Sequence, residues 1–278
     1  MSEKIFINGK FVSPAQAVIP VSEPGLLYGW GVFETMRAIG CTIVCLPQHL
    51  KRILGAARKL TLAVPYSCSD LSGIIRRAIR INGYQDAVVR LSLYKSAPGV
   101  YTVVTVKPYK AYTSLQYQKG FSACVSSLRQ DQQYAFAQVK TTSRLLFQLA
   151  AQEARKKGCD EAIILNTRGF IAEGARSNIF LVKRKKIMTP ALTCGCLPGV
   201  TRQLVITLGK KSGYKIDEGK FCLDDLRSAD EGFLTNSLIG IMPLVSLQGR
   251  DIGKGAAGNI TKDLMAQYAR RLMKLRLK

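Results

Sequence analysis

Histidine is almost absent from this chain of 278 residues, which contains only His49. A serine or cysteine hydrolase relies on a histidine base, so one histidine weakens any such assignment. The eight cysteines form no Cys-x-x-Cys pair; the nearest spacings are Cys194-Gly195-Cys196 and Cys41 to Cys45. Structural metal sites need closely spaced thiolate and imidazole ligands, so we predict no metal, and we expect reduced, mostly buried thiols.

Long apolar runs are also missing. No stretch of about eighteen uncharged apolar residues occurs, which argues against a transmembrane helix. The first residues, Met1-Ser2-Glu3-Lys4, lack the apolar run of a signal peptide. We therefore expect no membrane partner and a cytoplasmic location.

Acidic residues are few, and the resulting net charge of +23 is spread through both halves of the chain. A nucleic-acid-binding module would more commonly concentrate its charge on one face or helix. The basic clusters at 183–186 and 270–278 are interpreted as a hairpin turn and a solvated C-terminal helix. We predict no nucleic-acid partner, keep a basic nucleic-acid-binding protein as a distant alternative, and expect the diffuse positive field to favour a small anionic substrate.

Hydrophobic periodicity in the first part predicts a small α+β domain over residues 1–115. A hairpin is expected over 4–12, because Asn8-Gly9 is a typical two-residue turn. The remaining predicted elements are a strand at 32–38, helices at 47–60 and 71–81, and strands at 88–93 and 100–106. Residues 112–120 are expected to form a linker.

The second part, residues 121–278, is predicted to be a larger α+β domain of barrel-like form. A strand at 121–125, a polar loop at 129–133 and a helix at 143–157 are expected first. Short strands separated by turns follow at 162–165, 170–173, 178–182, 232–234 and 241–246.

Three motifs carry the chemical signal. Lys140 follows the apolar stretch 134–139, the run 171–178 reads Ile-Ala-Glu-Gly-Ala-Arg-Ser-Asn, and 197–202 reads Leu-Pro-Gly-Val-Thr-Arg. Taken singly, these are most often a solvated lysine, a turn and the entry to a helix. Their order and spacing resemble the active-site signature of the class IV aminotransferases, enzymes of pyridoxal 5'-phosphate.

The resemblance implies a role for each motif. The cofactor needs an amine that condenses with its aldehyde, a carboxylate beside its ring nitrogen, and dipoles for its phosphate. Lys140 is assigned as the amine and catalytic residue and Glu173 as the carboxylate, with Ser177 in the same run. Val200 and Thr201 are assigned to the phosphate because they open a predicted helix, with Thr201 as its N-cap.

Two further blocks extend the resemblance over most of the chain. His49-Leu50-Lys51-Arg52 resembles the element whose arginine binds the phosphate, which assigns Arg52. Thr235 and Asn236, in the C-terminal block Phe233–Leu238, are assigned to the same phosphate site. Substrate-binding candidates are Tyr28, Phe33 and Lys95.

The family also implies a fold and an assembly. Its members have a small α/β N-terminal domain and a larger pseudo-barrel α+β domain, with the cofactor in the cleft between them and a homodimer completing the site. We state these features as expectations from resemblance.

Within the family, the sequence favours 4-amino-4-deoxychorismate lyase, which eliminates pyruvate to give 4-aminobenzoate for folate biosynthesis. The run Asn236 to Leu244, with its Met-Pro-Leu, resembles the lyases. Leu145 stands five residues after Lys140, where branched-chain enzymes typically have tyrosine. The alternative is a branched-chain or D-amino-acid aminotransferase. The loop 94–99 lacks the arginine that several lyases and D-amino-acid enzymes use for a substrate carboxylate, and Lys95 is the candidate replacement.

A nicotinamide dehydrogenase is rejected. Gly29-Trp30-Gly31 begins a Gly-x-Gly-x-x-Gly pattern, but Glu34 occupies the last glycine position and no helix follows.

Overall fold

The computed structural model describes residues 3–276, and these divide into two units. The first unit comprises 3–110, 139–143 and 272–276. Its elements are β1 (Ile5–Ile7), β2 (Lys10–Val12), α1 (Pro24–Leu27), β3 (Gly31–Ile39), β4 (Thr42–Ile43), α2 (Leu46–Lys59), α3 (Cys68–Asn82), β5 (Ala87–Lys95) and β6 (Val100–Pro108). The strands form one antiparallel sheet in the order β2-β1-β6-β5-β3-β4.

Local sequence accounts for the ends of these elements. Asn8 and Gly9 both have positive φ, 44° and 89°, as a two-residue hairpin turn of this kind requires. Helix α3 begins three residues before the predicted start because Ser67 and Asp70 form a capping box. Gly83, at φ +71°, ends the same helix in the left-handed conformation.

The core of the first unit lies between its sheet and helices α2 and α3. Ile53 of α2 and Ile75 of α3 are buried, as are Met36 and Leu91 on the central strands. These apolar faces repeat every three to four residues along the helices, which is why the sequence predicts both helices.

The second unit comprises residues 111–138 and 144–271. Its elements are α4 (Ser114–Lys119), β7 (Phe121–Gln130), α5 (Leu145–Lys156), β8 (Glu161–Asn166), β9 (Ile171–Gly174), β10 (Asn178–Lys183), β11 (Lys186–Pro190), α6 (Val200–Lys211), β12 (Ile216–Gly219), α7 (Leu223–Arg227), β13 (Glu231–Asn236), β14 (Gly240–Leu247), β15 (Arg250–Asp251) and α8 (Asn259–Arg276). The last turn of α8 is grouped with the first unit.

One mixed sheet organises the second unit. Its order is β12-β11-β10-β13-β14-β7-β8-β9, and β15 pairs with β14. The pairs β11–β12, β7–β14 and β7–β8 are parallel, and the other pairs are antiparallel. Phe180 and Phe233 stack in the core with ring centres 4.8 Å apart.

Two predictions for this unit are wrong. The segment expected to be a linker holds helix α4, started by a capping box of Thr113 and Gln116. Strand β7 continues past residue 125 to Gln130, through a bulge between Val125 and Arg129. The polar residues there remain in the strand because Gln130 is buried and donates to the Gly195 carbonyl at 3.2 Å.

The basic run 183–186 lies in the β10–β11 hairpin, as the sequence predicts, with Arg184 and Lys185 at positive φ. Within residues 3–276 no disulfide joins the cysteines, but only Cys124, Cys194 and Cys196 are buried, so the expectation of mostly buried thiols is wrong. Of the helices in this range, none is long and apolar enough to cross a membrane.

Candidate active site

Lys140 lies in a short segment, residues 139–143, that runs beside the start of β3 in the first unit. Its carbonyl accepts the Phe33 N–H at 3.0 Å, and the Thr142 N–H donates to the Gly31 carbonyl at 2.8 Å. These bonds hold the backbone on both sides of the lysine. The predicted division into 1–115 and 121–278 does not contain this placement.

Two glycines allow the segment to approach so closely. Gly29 has φ +60°, and a Cβ there would overlap Ser143 Oγ. A Cβ on Gly31 would lie 2.7 Å from the Leu93 carbonyl oxygen. The Gly29-Trp30-Gly31 pattern therefore serves close packing beside Lys140.

Phe33 lies between two cationic groups. Lys140 Nζ is 4.7 Å from the ring centre, and the Arg90 guanidinium carbon is 3.8 Å from it. Phe33 itself is 7% exposed. The predicted substrate residue Phe33 and the predicted catalytic lysine are thus neighbours, and the ring gives Lys140 an apolar wall.

Arg52 contacts the buried carboxylate of Glu34. Arg52 Nε donates to Oε1 at 2.6 Å and Nη2 to Oε2 at 2.7 Å, while His49 Nδ1 lies 2.7 Å from Oε2. Burial would raise the pKa of Glu34, but the hydrogen bonds with His49 and Arg52 outweigh it and lower the pKa to about 2. The network fixes the plane of the guanidinium predicted to bind phosphate.

The other substrate candidates of this unit are placed differently. Tyr28 caps the C-terminal end of α1 and is 73% exposed. Lys95 ends β5, and its N–H donates to the Trp30 carbonyl at 2.9 Å. Nothing in these contacts assigns either side chain to a ligand.

Glu173 lies in β9 of the second unit and is 4% exposed. Its Oε2 accepts the Leu197 N–H at 3.2 Å. Burial, followed by the charge of Glu173, raises the pKa of the neighbouring Cys196 thiol to about 12. Two of the sequence motifs therefore meet at this carboxylate.

Asn178 joins the same two motifs a second time. Its Nδ2 donates to the Leu197 carbonyl at 2.9 Å, and a Cβ on Gly199 would overlap its Oδ1. Gly199 is the N-cap of α6, and Val200 is the first helical residue. The prediction that Thr201 is the N-cap is therefore wrong by two positions, because the close approach of Asn178 requires glycine there.

The start of α6 offers backbone N–H groups. Its N-cap glycine makes no side-chain capping bond, so the N–H groups of the first turn are not capped by a side chain. Thr235 lies opposite Asn178 in the sheet, is fully buried, and its hydroxyl has no hydrogen-bond partner within residues 3–276. An anion beside these groups would satisfy them.

Two of the remaining predicted residues are committed to the fold. Asn236 Oδ1 accepts the Leu238 and Ile239 N–H groups at 2.8 and 2.9 Å. Its Nδ2 donates to the Arg176 carbonyl at 3.0 Å. Ser177 Oγ donates to Glu161 at 2.8 Å. These side chains shape the loops around the site through their protein contacts.

Sequence patterns did not single out three buried or stacked groups. Arg202 is 2% exposed and donates to Glu218 and to the Pro190 carbonyl. Glu161 is 2% exposed, and Arg90 covers Phe33. An acid at the start of an otherwise apolar strand, as at Glu161, is the one local signal that could have indicated such a group.

Comparison with known proteins places this arrangement in a family. The model of the amino-transferase class IV family matches residues 31–247. The chain belongs to that family.

Individual proteins of known name resemble the chain over nearly its whole length. A putative branched-chain-amino-acid aminotransferase of Methanocaldococcus jannaschii is 32% identical, covering 95% of each chain. A D-alanine aminotransferase of Bacillus licheniformis is 26% identical, covering 94% of each.

Solved structures agree with the fold. A branched-chain aminotransferase of Thermoproteus uzoniensis with norvaline has a TM-score of 0.92 at 32% identity, covering 99% of this chain and 96% of that one. A second branched-chain amino acid aminotransferase, solved with pyridoxamine 5'-phosphate and designated T.th., has a TM-score of 0.93 at 28% identity, covering 99% and 95%.

These findings confirm the predicted family, α+β fold class, enzymatic nature and pyridoxal phosphate cofactor. They do not support the lyase, and they favour its alternative, an aminotransferase. The individual site residues remain predictions.

Proposed function

We propose that this enzyme transfers the amino group of a branched-chain amino acid to a 2-oxo acid, using pyridoxal phosphate. The proposal is carried by the near-full-length likeness to proteins named branched-chain aminotransferases, at 32% identity for both a relative and a solved structure. Leu145, 71% exposed at the start of α5, is the sequence feature that departs from the branched-chain pattern.

The residues of the chain fit the cofactor. Thr235 supplies a buried hydroxyl without a hydrogen-bond partner in the described range, and α6 supplies an N-terminus without a side-chain cap. Arg52 would add a positive charge and Glu173 a buried carboxylate. When bound, pyridoxal phosphate supplies an electron sink for the negative charge that develops at the substrate α-carbon.

Lys140 is proposed to hold the cofactor and to move the proton. Its Nζ takes the proton from the substrate α-carbon and returns one during amino transfer. The bonds from Phe33 and Thr142 hold the adjacent backbone, so the amine is oriented before the substrate arrives. Glu173 is proposed to keep a proton on the ring nitrogen, since a nearby negative charge favours the protonated ring.

An aliphatic substrate suits the surroundings of Lys140. Phe33 is nearly buried and lies against the lysine, so it offers an apolar surface without a hydrogen-bonding group. Burial of a methylene group on such a surface contributes about 0.8 kcal/mol. We infer that valine, leucine and isoleucine are preferred over polar amino acids.

A substrate panel tests the proposal. Purified holoenzyme is given L-valine, L-leucine, L-isoleucine, D-alanine or aminodeoxychorismate, with and without a 2-oxo acid, and both products are quantified. We expect branched 2-oxo acids to form only when the acceptor is present. Activity restricted to D-alanine would favour the D-amino-acid alternative, and acceptor-independent pyruvate from aminodeoxychorismate would restore the lyase.

The assembly is a separate proposal. We infer a homodimer from the resemblance noted in the sequence. Light scattering of the purified protein at several concentrations tests this, and a monomer at all of them would contradict it.

A further inference from the structure

Glu161 is a buried acid outside the predicted site. It begins β8, is 2% exposed, and its Oε1 accepts the N–H of the next residue, Ala162, at 3.1 Å. Its Oε2 accepts the Ser177 hydroxyl at 2.8 Å and the Arg176 N–H at 3.3 Å. Burial raises the pKa of Glu161, while the Arg176 charge and these hydrogen bonds oppose the rise. Burying a carboxylate is costly, so its contacts indicate where the compensation lies.

The compensation lies in one tight turn, residues 174–177. The Gly174 N–H donates to the Ser177 carbonyl at 2.7 Å, which closes the turn, and the Ala175 N–H donates to the Ala162 carbonyl at 2.9 Å. A Cβ on Gly174 would lie 2.5 Å from Ser177 Oγ and 3.2 Å from Glu161 Cδ. The turn therefore closes around the Glu161 carboxylate, which occupies the donors that point inward.

This turn connects the two residues that contact Leu197. Glu173 precedes it and accepts the Leu197 N–H at 3.2 Å. Asn178 follows it and donates to the Leu197 carbonyl at 2.9 Å. A change in the shape of the turn would alter the distance between Glu173 and Asn178, and both are bonded to the same residue.

We propose that Glu161 is a positioning residue, which sets the place of the Glu173 carboxylate by closing the turn at 174–177. Glu161 touches neither substrate nor cofactor in this role. It acts through the turn and through Glu173, and the proposal rests on the function proposed for Glu173.

The variant Glu161→Gln tests the role, with Glu153→Gln as control. Gln keeps the size of the side chain but presents an amide N–H₂ to donors, so it cannot accept from all of them. Glu153 lies on α5 in the same unit and accepts from Ser126 and Ser127, so its variant removes a comparable acceptor away from the turn.

The first readout is amide hydrogen exchange of the cofactor-free protein. We expect peptides covering 171–178 and 197 to exchange at least about tenfold faster in Glu161→Gln, with peptides of β13 unchanged. Equal acceleration throughout the second unit would indicate a general loss of stability and overturn the proposal. So would unchanged exchange of the turn.

The second readout is the visible absorption of bound pyridoxal phosphate as a function of pH. Movement of Glu173 should shift the titration midpoint of that absorption by at least about half a pH unit in Glu161→Gln, and Glu153→Gln should leave it unchanged. An unshifted midpoint would refute the role of Glu161 while the proposed function stands. Wild-type protein that binds no pyridoxal phosphate would refute the proposed function, and the exchange result would still be readable.

Discussion

Arg52 and Glu34 form a bidentate ion pair, with Nε 2.6 Å from Oε1 and Nη2 2.7 Å from Oε2. A paired fork holds the guanidinium in one plane, whereas an arginine on a solvated helix face samples many rotamers. The pair therefore gives the predicted phosphate-binding residue a fixed direction before any ligand is bound.

The variant Arg52→Ala should bind pyridoxal phosphate more than tenfold more weakly. A charge-assisted hydrogen bond contributes on the order of 1.5 to 3 kcal/mol, and the fork supplies such bonds to phosphate. Arg58→Ala is the matched control, because Arg58 is an exposed base on the same helix. Fluorescence titration gives the dissociation constants, and an unchanged constant in Arg52→Ala would return the residue to a structural role with Glu34.

Glu34 should make the stability of the protein depend on acidic pH. Its pKa is lowered in the folded state, from an ordinary value of 4.5 to about 2. The folded state therefore holds fewer protons, so the contribution of Glu34 is present above pH 4.5 and is lost as the pH falls toward 2. Urea unfolding at several pH values should show this loss, and the slope should be smaller in Glu34→Gln. Parallel curves for the two proteins would contradict the assignment.

Gly199 should tolerate no side chain. A Cβ there would overlap Asn178 Oδ1, so Gly199→Ala must displace the amide that holds Leu197. We expect a loss of about 1 to 3 kcal/mol in unfolding free energy and weaker cofactor binding. Gly55→Ala is the control, since a Cβ at this interior position of α2 meets no atom within 4 Å. That control should be neutral or stabilising by up to about 1 kcal/mol.

Sequence patterns predicted the elements with strong periodicity and missed the weak ones. Helices α2 and α3 have continuous apolar faces, so only their ends were misplaced. Helix α4 has six residues, none of them buried, and gives no periodic signal. A polar end of β7 was taken for a loop because burial of Gln130 depends on a partner 65 residues away.

The site shows the same division. Motifs identified Lys140 and Glu173, because a family signature fixes their neighbours in sequence. The contacts that orient the site join residues 16 to 18 positions apart, as in Glu161 to Ser177 and Glu34 to Arg52. No helical or strand period links positions at such separations, so only the fold brings them together.

Lys140→Ala should fold, remain colourless with pyridoxal phosphate and lose turnover. The side chain lies in the partly exposed segment 139–143, whose backbone bonds do not need the amine. Borohydride treatment followed by peptide mass analysis is the measurement. A reduced cofactor adduct in the variant, on any lysine with retained turnover, would assign the chemistry elsewhere.

Glu173→Gln tests mechanism where Arg52→Ala tests binding. The substitution keeps the shape of a side chain that is 4% exposed and removes its charge. A carboxylate beside the ring nitrogen favours the protonated ring, which is the better electron sink when the α-proton leaves. We expect the variant to bind pyridoxal phosphate through Lys140 but to lose at least about a hundredfold in turnover. Deuterium at the substrate α-carbon should then slow the reaction more than in the wild type, because proton abstraction has become limiting. The pKa of the Cys196 thiol should fall as well, since the charge of Glu173 is one of the causes that raise it. Thiol titration therefore verifies that the charge was removed, and near-normal turnover in a variant so verified would exclude Glu173 as the partner of the ring nitrogen.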